Sequence, residues 1–343
     1  MLFRSVSQSR YISGRICFRG TGRTTLTSTT NPWEIICSGR VKVSGDIRTV
    51  LDHTTMPASV GIGAFRNMFS QNFSSQCIEY ADELIIPFET LPDDACNSMF
   101  KYAGKLKTAP SLPATNVGVT CYFNMFSYTA LTFAPNLPAT SIGDQCYGEM
   151  FAYSTSLKVA PVMLPATTLA MGCYWNMFSL CSNLTNTPVL PATTLADACY
   201  ELMFAYCTSL ITAPALPATT ISNGCYNSMF MGCSNLKSFN SHLPATILSD
   251  FCYTSMFEGC INLETSIEIY GLNLTNRCFK RMFGDCNKLA QIKVNFRDWA
   301  PTSIVEPTTD WVSGVSETGQ FTKPTELVAL YGPSNIPTGW NVL

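Results

Sequence analysis

Through most of the chain, apolar residues recur in a fixed register and polar residues fill the gaps between them. The pair Met-Phe occurs nine times, at Met68, Met99, Met125, Met150, Met177, Met203, Met229, Met256 and Met282, in steps of 25 to 31 residues. A period of this size signals a solenoid, in which each repeat buries its apolar face only against its neighbours. The unit from Thr193 to Leu216 shows the pattern best. Cys199, Met203 and Cys207 stand at i, i+4 and i+8, with Tyr200 and Phe204 at i+1 and i+5. This spacing predicts a short helix with all five side chains on its buried side. Thr194 or Asp197 is placed to cap it, and Asp144, Asn223 and Asp250 are the equivalents in other rungs.

After the predicted helix, Leu210 opens a short extended segment that Pro214 ends, because proline cannot donate to a ladder. Leu-Pro-Ala-Thr follows, at Leu112, Leu137, Leu164, Leu190, Leu216 and Leu243, with Leu91-Pro92 as a degenerate copy. It reads as a stacked turn: proline presets φ, alanine allows close layers, and the threonine hydroxyl can satisfy a neighbouring backbone group. Paired strands lie ~4.7 to 4.9 Å apart whereas helices need ~10 Å, so strands are expected on an inner, concave face. The expected fold class is an α/β repeat solenoid, a curved stack of about nine rungs, each a short parallel strand and a short helix.

Residues 1–60 lack the period. Their alternating segments, Tyr11 to Arg19, Trp33 to Cys37 and Arg40 to Ile47, predict a β-rich N-terminal cap or anchoring domain. The array occupies 61–295, and 296–343, with Trp299, Trp311 and Trp340 among glycines and prolines, is expected to form an irregular C-terminal cap. Such ends cover the apolar face and unpaired strand of a terminal rung.

Hydrophobic residues make up 46% of the chain and charged residues 13%, which fits a well-buried body and excludes a disordered one. The net charge of −2 gives no reason to expect nucleic acid. Residues 1–52 nevertheless carry eight Lys and Arg against three acids, which fits a solvated strand surface or a contact with an acidic partner or another subunit. Oligomers are compatible with that charge. No stretch approaches the ~18 to 20 apolar residues of a membrane span, so no membrane insertion is expected. Met-Leu-Phe-Arg-Ser-Val-Ser-Gln at the start contains no apolar signal-peptide core.

Thirteen of the sixteen cysteines form two columns. Cys96, Cys121, Cys146, Cys173, Cys199, Cys225, Cys252 and Cys278 precede the Met-Phe pair, and Cys181, Cys207, Cys233, Cys260 and Cys286 follow it. Two thiols of one rung would lie ~12 Å apart along a helix, too far for a disulfide. There is no Cys-x-x-Cys, and His53 and His242 do not recur with the columns, so small buried fillers are expected, with no metal and no cofactor. Asn72, Ala103, Thr129 and Ser154 take the second column's place in early rungs. Tyrosines also recur, from Tyr122 to Tyr253 and at Tyr102, Tyr128, Tyr153 and Tyr206, and read as partly buried ladders.

No nucleophile elbow, phosphate loop or dinucleotide turn is present, and Glu149, Glu201 and Glu258 occupy differing repeat positions. Catalysis is not expected. Function is expected where the repeat varies, in seven strand pairs from Lys107 and Thr108, through Lys158 and Val159, to Glu264 and Thr265. Within them the candidate ligand-binding face is Lys107, Thr132, Phe133, Lys158, Thr185, Asn186, Ile211 and Lys237.

The rung that combines Leu-Pro-Ala-Thr-Thr-Leu, Cys-Tyr-x-x-Met-Phe and Cys-x-x-Leu resembles the BspA-type leucine-rich repeat proteins abundant in Bacteroidales and their phages. The resemblance runs from Phe65 to Val294 and includes Phe18 to Gly20, Val41 to Gly45, Trp311 to Val315, Thr318 to Phe321 and Ile336 to Val342. It implies binding to a protein or glycan on a host or bacterial surface. Cell-surface members begin with a signal peptide or lipoprotein signal. Its absence from this sequence favours a virion component, such as a fibre, receptor-binding or decoration protein. The alternatives are a cell-surface adhesin of a Bacteroidales bacterium and a purely structural virion subunit, contacting other subunits through residues 1–60.

Overall fold

The computed structural model describes residues 40–71, 76–239, 242–299 and 303–343. Strand β1 (Val41–Asp46) leads into the one-turn helix α1 (Arg48–Leu51) and pairs in parallel with β2 (Ile78–Ile85). It falls on the segment Arg40 to Ile47 expected from alternation; the segments at Tyr11 and Trp33 lie outside the described residues.

Beyond β2 the chain coils around one core and is tied from rung to rung by three backbone ladders. One follows the Leu-Pro-Ala-Thr turn. There β3 (Thr90–Leu91), β4 (Asn116–Val117) and β5 (Ser141–Ile142) pair in parallel, and single bridges such as Thr168 to Thr194 and Thr220 to Ile247 continue the ladder. This register aligns Ile86-Pro87-Phe88-Glu89, not Leu91-Pro92, with the proline turn of the next rung. Buried Ile86 and Phe88 fill the places of Leu112 and Ala114.

The second ladder follows the repeat leucine. It contains β6 (Thr212–Ala213) and β7 (Ser238–Phe239), then β8 (Ile267–Ile269), β9 (Gln291–Val294), β10 (Gln320–Thr322) and β11 (Asn341–Val342), all in parallel. Bridges from Tyr80 to Thr108 and from Phe133 to Val159 belong to the same ladder.

The third ladder stands where the helices were expected, and it is not helical. From Asp94 to Ala103, alternate N–H groups bond locally to the carbonyl three residues back, as Asn97 to Asp94 at 3.1 Å and Met99 to Cys96 at 3.1 Å. The N–H groups between them cross to the next rung, as Cys96 to Cys121 at 2.9 Å, Ser98 to Phe123 at 2.8 Å and Phe100 to Met125 at 2.9 Å. Every fourth residue takes positive φ: Asp94, Ser98 and Tyr102 at 56°, 55° and 61°, then Gln145, Glu149 and Tyr153 at 51°, 52° and 62°. An α-helix would keep all its N–H groups inside the rung. This chain of tight turns shares half of them with its neighbour. Its four-residue repeat still puts i, i+4 and i+8 on one side, so Cys199, Met203, Cys207, Tyr200 and Phe204 are all buried as expected.

The curvature expected from wide helices beside narrow strands therefore has no basis. Both sides are hydrogen-bonded from rung to rung, at the ~4.8 Å spacing of paired strands, and the strand side is not forced to be concave.

Inside, phenylalanines from Phe69 to Phe283 stack with ring centroids 5.2 to 5.9 Å apart. Tyr122 to Tyr253 and then Phe279 form a second buried column at 5.6 to 5.9 Å. Offset aromatic pairs of this kind add ~0.5 to 1.5 kcal/mol each beyond area burial. The turn ladder passes residue 295 without a break, since Phe279 bonds to Pro307 and Phe283 to Trp311. Trp311 fills the methionine position and is fully buried, so the C-terminal segment closes the array by extending it.

Candidate functional site

The eight candidate residues fall on adjacent rungs of the second ladder, tied by Lys158 N–H to Thr132 O at 3.0 Å, Thr185 N–H to Lys158 O at 3.1 Å and Lys237 N–H to Ile211 O at 2.9 Å. They form one stripe, and they divide by what their side chains already do. The Asn186 Oδ1 accepts the Ala160 N–H at 2.9 Å, and the Thr185 hydroxyl donates to Lys158 O at 3.1 Å. Lys107 lies 3.5 Å from the buried carboxylate of Glu79, and Thr132 is half-buried. Phe133, Lys158, Ile211 and Lys237 project outward, with Phe133 65% and Ile211 52% exposed.

The structure joins Val159, a member of the variable strand pairs, to Val162, Met163 and Val189, which the repeat alone did not single out. Val159 bridges to Phe133, and Met163 bridges to Val189. With Val162, they expose a run of apolar side chains beside the stripe, Val162 at 78% and Val189 at 56%. The signal in the sequence was an extra residue: the rung of Leu157 reads Pro161-Val162-Met163-Leu164 where its predecessor reads Pro135-Asn136-Leu137.

Charge is divided between the two sides. From residue 109 to 263 the only Lys or Arg residues are Lys158 and Lys237, both on the stripe. The acids there, Asp144, Glu149, Asp197, Glu201, Asp250 and Glu258, all lie on the turn ladder. Each acid is engaged with a later rung. The carboxylates of Asp144, Asp197 and Asp250 accept the N–H of Met171, Asn223 and Asn276 at 2.9 to 3.0 Å. These aspartates cap backbone donors as their residue type suggested, but donors of the neighbouring rung and not of a helix. Glu149 and Glu201 accept from Asn176 and Asn227 at 3.3 and 3.0 Å, and Glu258 pairs with Arg281 at 2.8 Å. Half-burial raises the Glu201 carboxyl above its ordinary range. Lys158 and Lys237 have no ion pair among the described residues, whereas Lys288 is paired with Glu264 at 3.0 Å.

On the turn side, Tyr128 and Tyr153 stack with centroids 4.4 Å apart and rings parallel to within 4°, while Tyr102 lies 4.9 Å from Tyr128 and is tilted by 42°. Tyr128 and Tyr153 thus cover one face of each other's rings.

Cys252 and His242, a cysteine and a histidine ten residues apart in the sequence, stand in different environments. Cys252 is buried with its thiol pushed well up, while His242 is exposed and packs edge-on to Tyr270 at 5.0 Å. Among the described residues no group of three or more His, Cys, Asp or Glu is placed to hold a metal, and no helix is long and apolar enough to cross a membrane. The thirteen column thiols are free and buried. Cys77 is disulfide-bonded.

No family model and no curated protein matches the chain. Among solved structures it is similar to a leucine-rich repeat protein from Bacteroides ovatus, with 17% identity over 97% of this chain and 90% of that one and a TM-score of 0.39.

Proposed function

We propose that this chain is a non-catalytic binding module, an adhesion or receptor-binding element that presents the strand stripe to a protein on a bacterial or host surface. The observation that carries this reading is the exposed apolar run of Phe133, Val159, Val162, Met163, Val189 and Ile211 on a rigid, hydrogen-bonded ladder. Contiguous exposed apolar surface with a polar rim marks interaction sites, and a rigid platform loses little entropy on binding. Aliphatic side chains favour a protein over a glycan. A place on a phage virion or on a Bacteroidales cell rests on the resemblance of the repeat.

The test is a titration of fluorescent full-length chain on Bacteroidales cells. Saturable binding is expected, with Phe133→Asp and Ile211→Asp weakening it at least tenfold and Gln145→Ala on the turn side leaving it unchanged. Binding that ignores both stripe substitutions removes the stripe from the function.

A further inference from the structure

We propose that the stripe takes an acidic polypeptide segment, its apolar side chains seated on Phe133, Val159, Met163 and Val189 and its carboxylates on Lys158 and Lys237. This rests on the stripe being the binding surface and adds the chemistry of the partner.

Charge complementarity selects this occupant. Lys158 and Lys237 are the only Lys or Arg residues between residues 109 and 263; Lys158 stands within the apolar run, beside Val159 and one rung after Phe133, and Lys237 stands beyond it, one rung after Ile211. Every acid of the same stretch is on the turn ladder and engaged with a later rung. The stripe positions from Thr132 to Ser238 contain no carboxylate. The acid nearest to them on their own ladder, Glu264 on the rung after Lys237, is paired with Lys288 at 3.0 Å, and the two ammonium groups have no ion pair among the described residues. They are also spaced: three rungs separate them, about 14 Å at the spacing of paired strands. An extended polypeptide covers that distance in about four residues. A segment with two acids about four residues apart, apolar residues between them over Val189 and Ile211, and a further apolar residue past the Lys158 end over Phe133 matches both the cations and the patch.

A random dodecapeptide library sorted against the full chain tests this. Enriched peptides are expected to carry two or more Asp or Glu flanking apolar residues. Their binding should weaken five- to tenfold between 0.05 M and 0.5 M salt, as screened charge requires. The double variant Lys158→Glu, Lys237→Glu should bind them at least tenfold more weakly and enrich basic peptides instead. Both side chains are exposed, and an unchanged circular dichroism spectrum and melting temperature confirm that the variant folds. Peptides that lack acids and ignore the double variant but are lost on Phe133→Asp overturn the acidic partner and leave the stripe in place. Peptides insensitive to Phe133→Asp, or no enrichment at all, overturn both.

Discussion

The thiol of Cys233 donates to the carbonyl oxygen of Phe204, one rung away, at 3.1 Å. Cys181, Cys207, Cys260 and Cys286 do the same to Phe151, Phe178, Phe230 and Phe257 at 3.0 to 3.1 Å. In an earlier rung the hydroxyl of Ser154 takes over, reaching Phe126 O at 2.8 Å. The second column is therefore a column of small donors, which explains why serine replaces cysteine in it. The first column has no comparable acceptor: its thiols as donors reach only Pro307 O from Cys278 at 3.8 Å and Cys278 O from Cys252 at 4.0 Å, and the Cys278 sulfur itself accepts the Thr275 N–H at 3.4 Å.

Serine substitution should separate the two columns. Cys233→Ser keeps its acceptor and is expected to cost less than about 1 kcal/mol, whereas Cys225→Ser buries an unpaired hydroxyl and should cost about 1 to 3 kcal/mol. Urea midpoints measure the difference, and equal costs would contradict the donor role.

Alkaline pH should unfold the solenoid. A thiol in the unfolded chain ionises near pH 8.5, while burial pushes Cys96, Cys199 and Cys233 up to about 12 and Cys278 up to about 11. Above pH 8.5 the unfolded state releases protons that the native state keeps. Stability is then full below that pH and falls as pH rises toward the native values, by up to about 1.4 kcal/mol per pH unit for each thiol. Thirteen buried free thiols act together. The urea midpoint should drop steeply between pH 8.5 and 10.5; a constant midpoint would exclude the mechanism.

Two glycines of the turn ladder should respond differently to alanine. Gly224, at φ +58°, has nothing within 4 Å of an added Cβ, and Gly224→Ala is expected to cost only the left-handed conformation, about 1 to 2 kcal/mol. At Gly232, φ +71°, the Cβ would meet the Tyr206 ring within van der Waals distance, and Gly232→Ala should cost about 1 to 3 kcal/mol more. Adding Tyr206→Ala should remove that excess in thermal melts. If the double variant is no more stable than Gly232→Ala, the ring is not the obstacle.

The sequence revealed the core and the rung but not the backbone that builds it. Met203 and Phe204 were legible as core because burial follows side-chain chemistry, whatever hydrogen bonds carry the chain. The helix was a misreading with a physical source. A four-residue turn repeat and a 3.6-residue helix give the same i, i+4, i+8 pattern over two turns, so Cys199, Met203 and Cys207 could not separate them. The discriminating signal lay between the apolar positions. Asn67, Asn124 and Asn176 precede methionines, Gly172 and Gly224 stand five before, and Gly232 and Gly259 three after, all types that tolerate left-handed backbone. Lys158 and Phe133 were legible as exposed because they vary from rung to rung. Val162 and Val189 were not, because they sit outside the strand pairs and only the bridge between Met163 and Val189 shows that they share a surface.

Equal hydrogen-bonded spacing on opposite sides makes the stack a ruler. Each further rung of about 26 residues lengthens it by about 4.8 Å and leaves the existing rungs as they were. The distance between Lys158 and Lys237 is thus quantised: duplicating or losing one rung between them changes it by a single increment. Partner choice on such a surface can be retuned in whole steps by gene-level repeat gain or loss, with no redesign of the core.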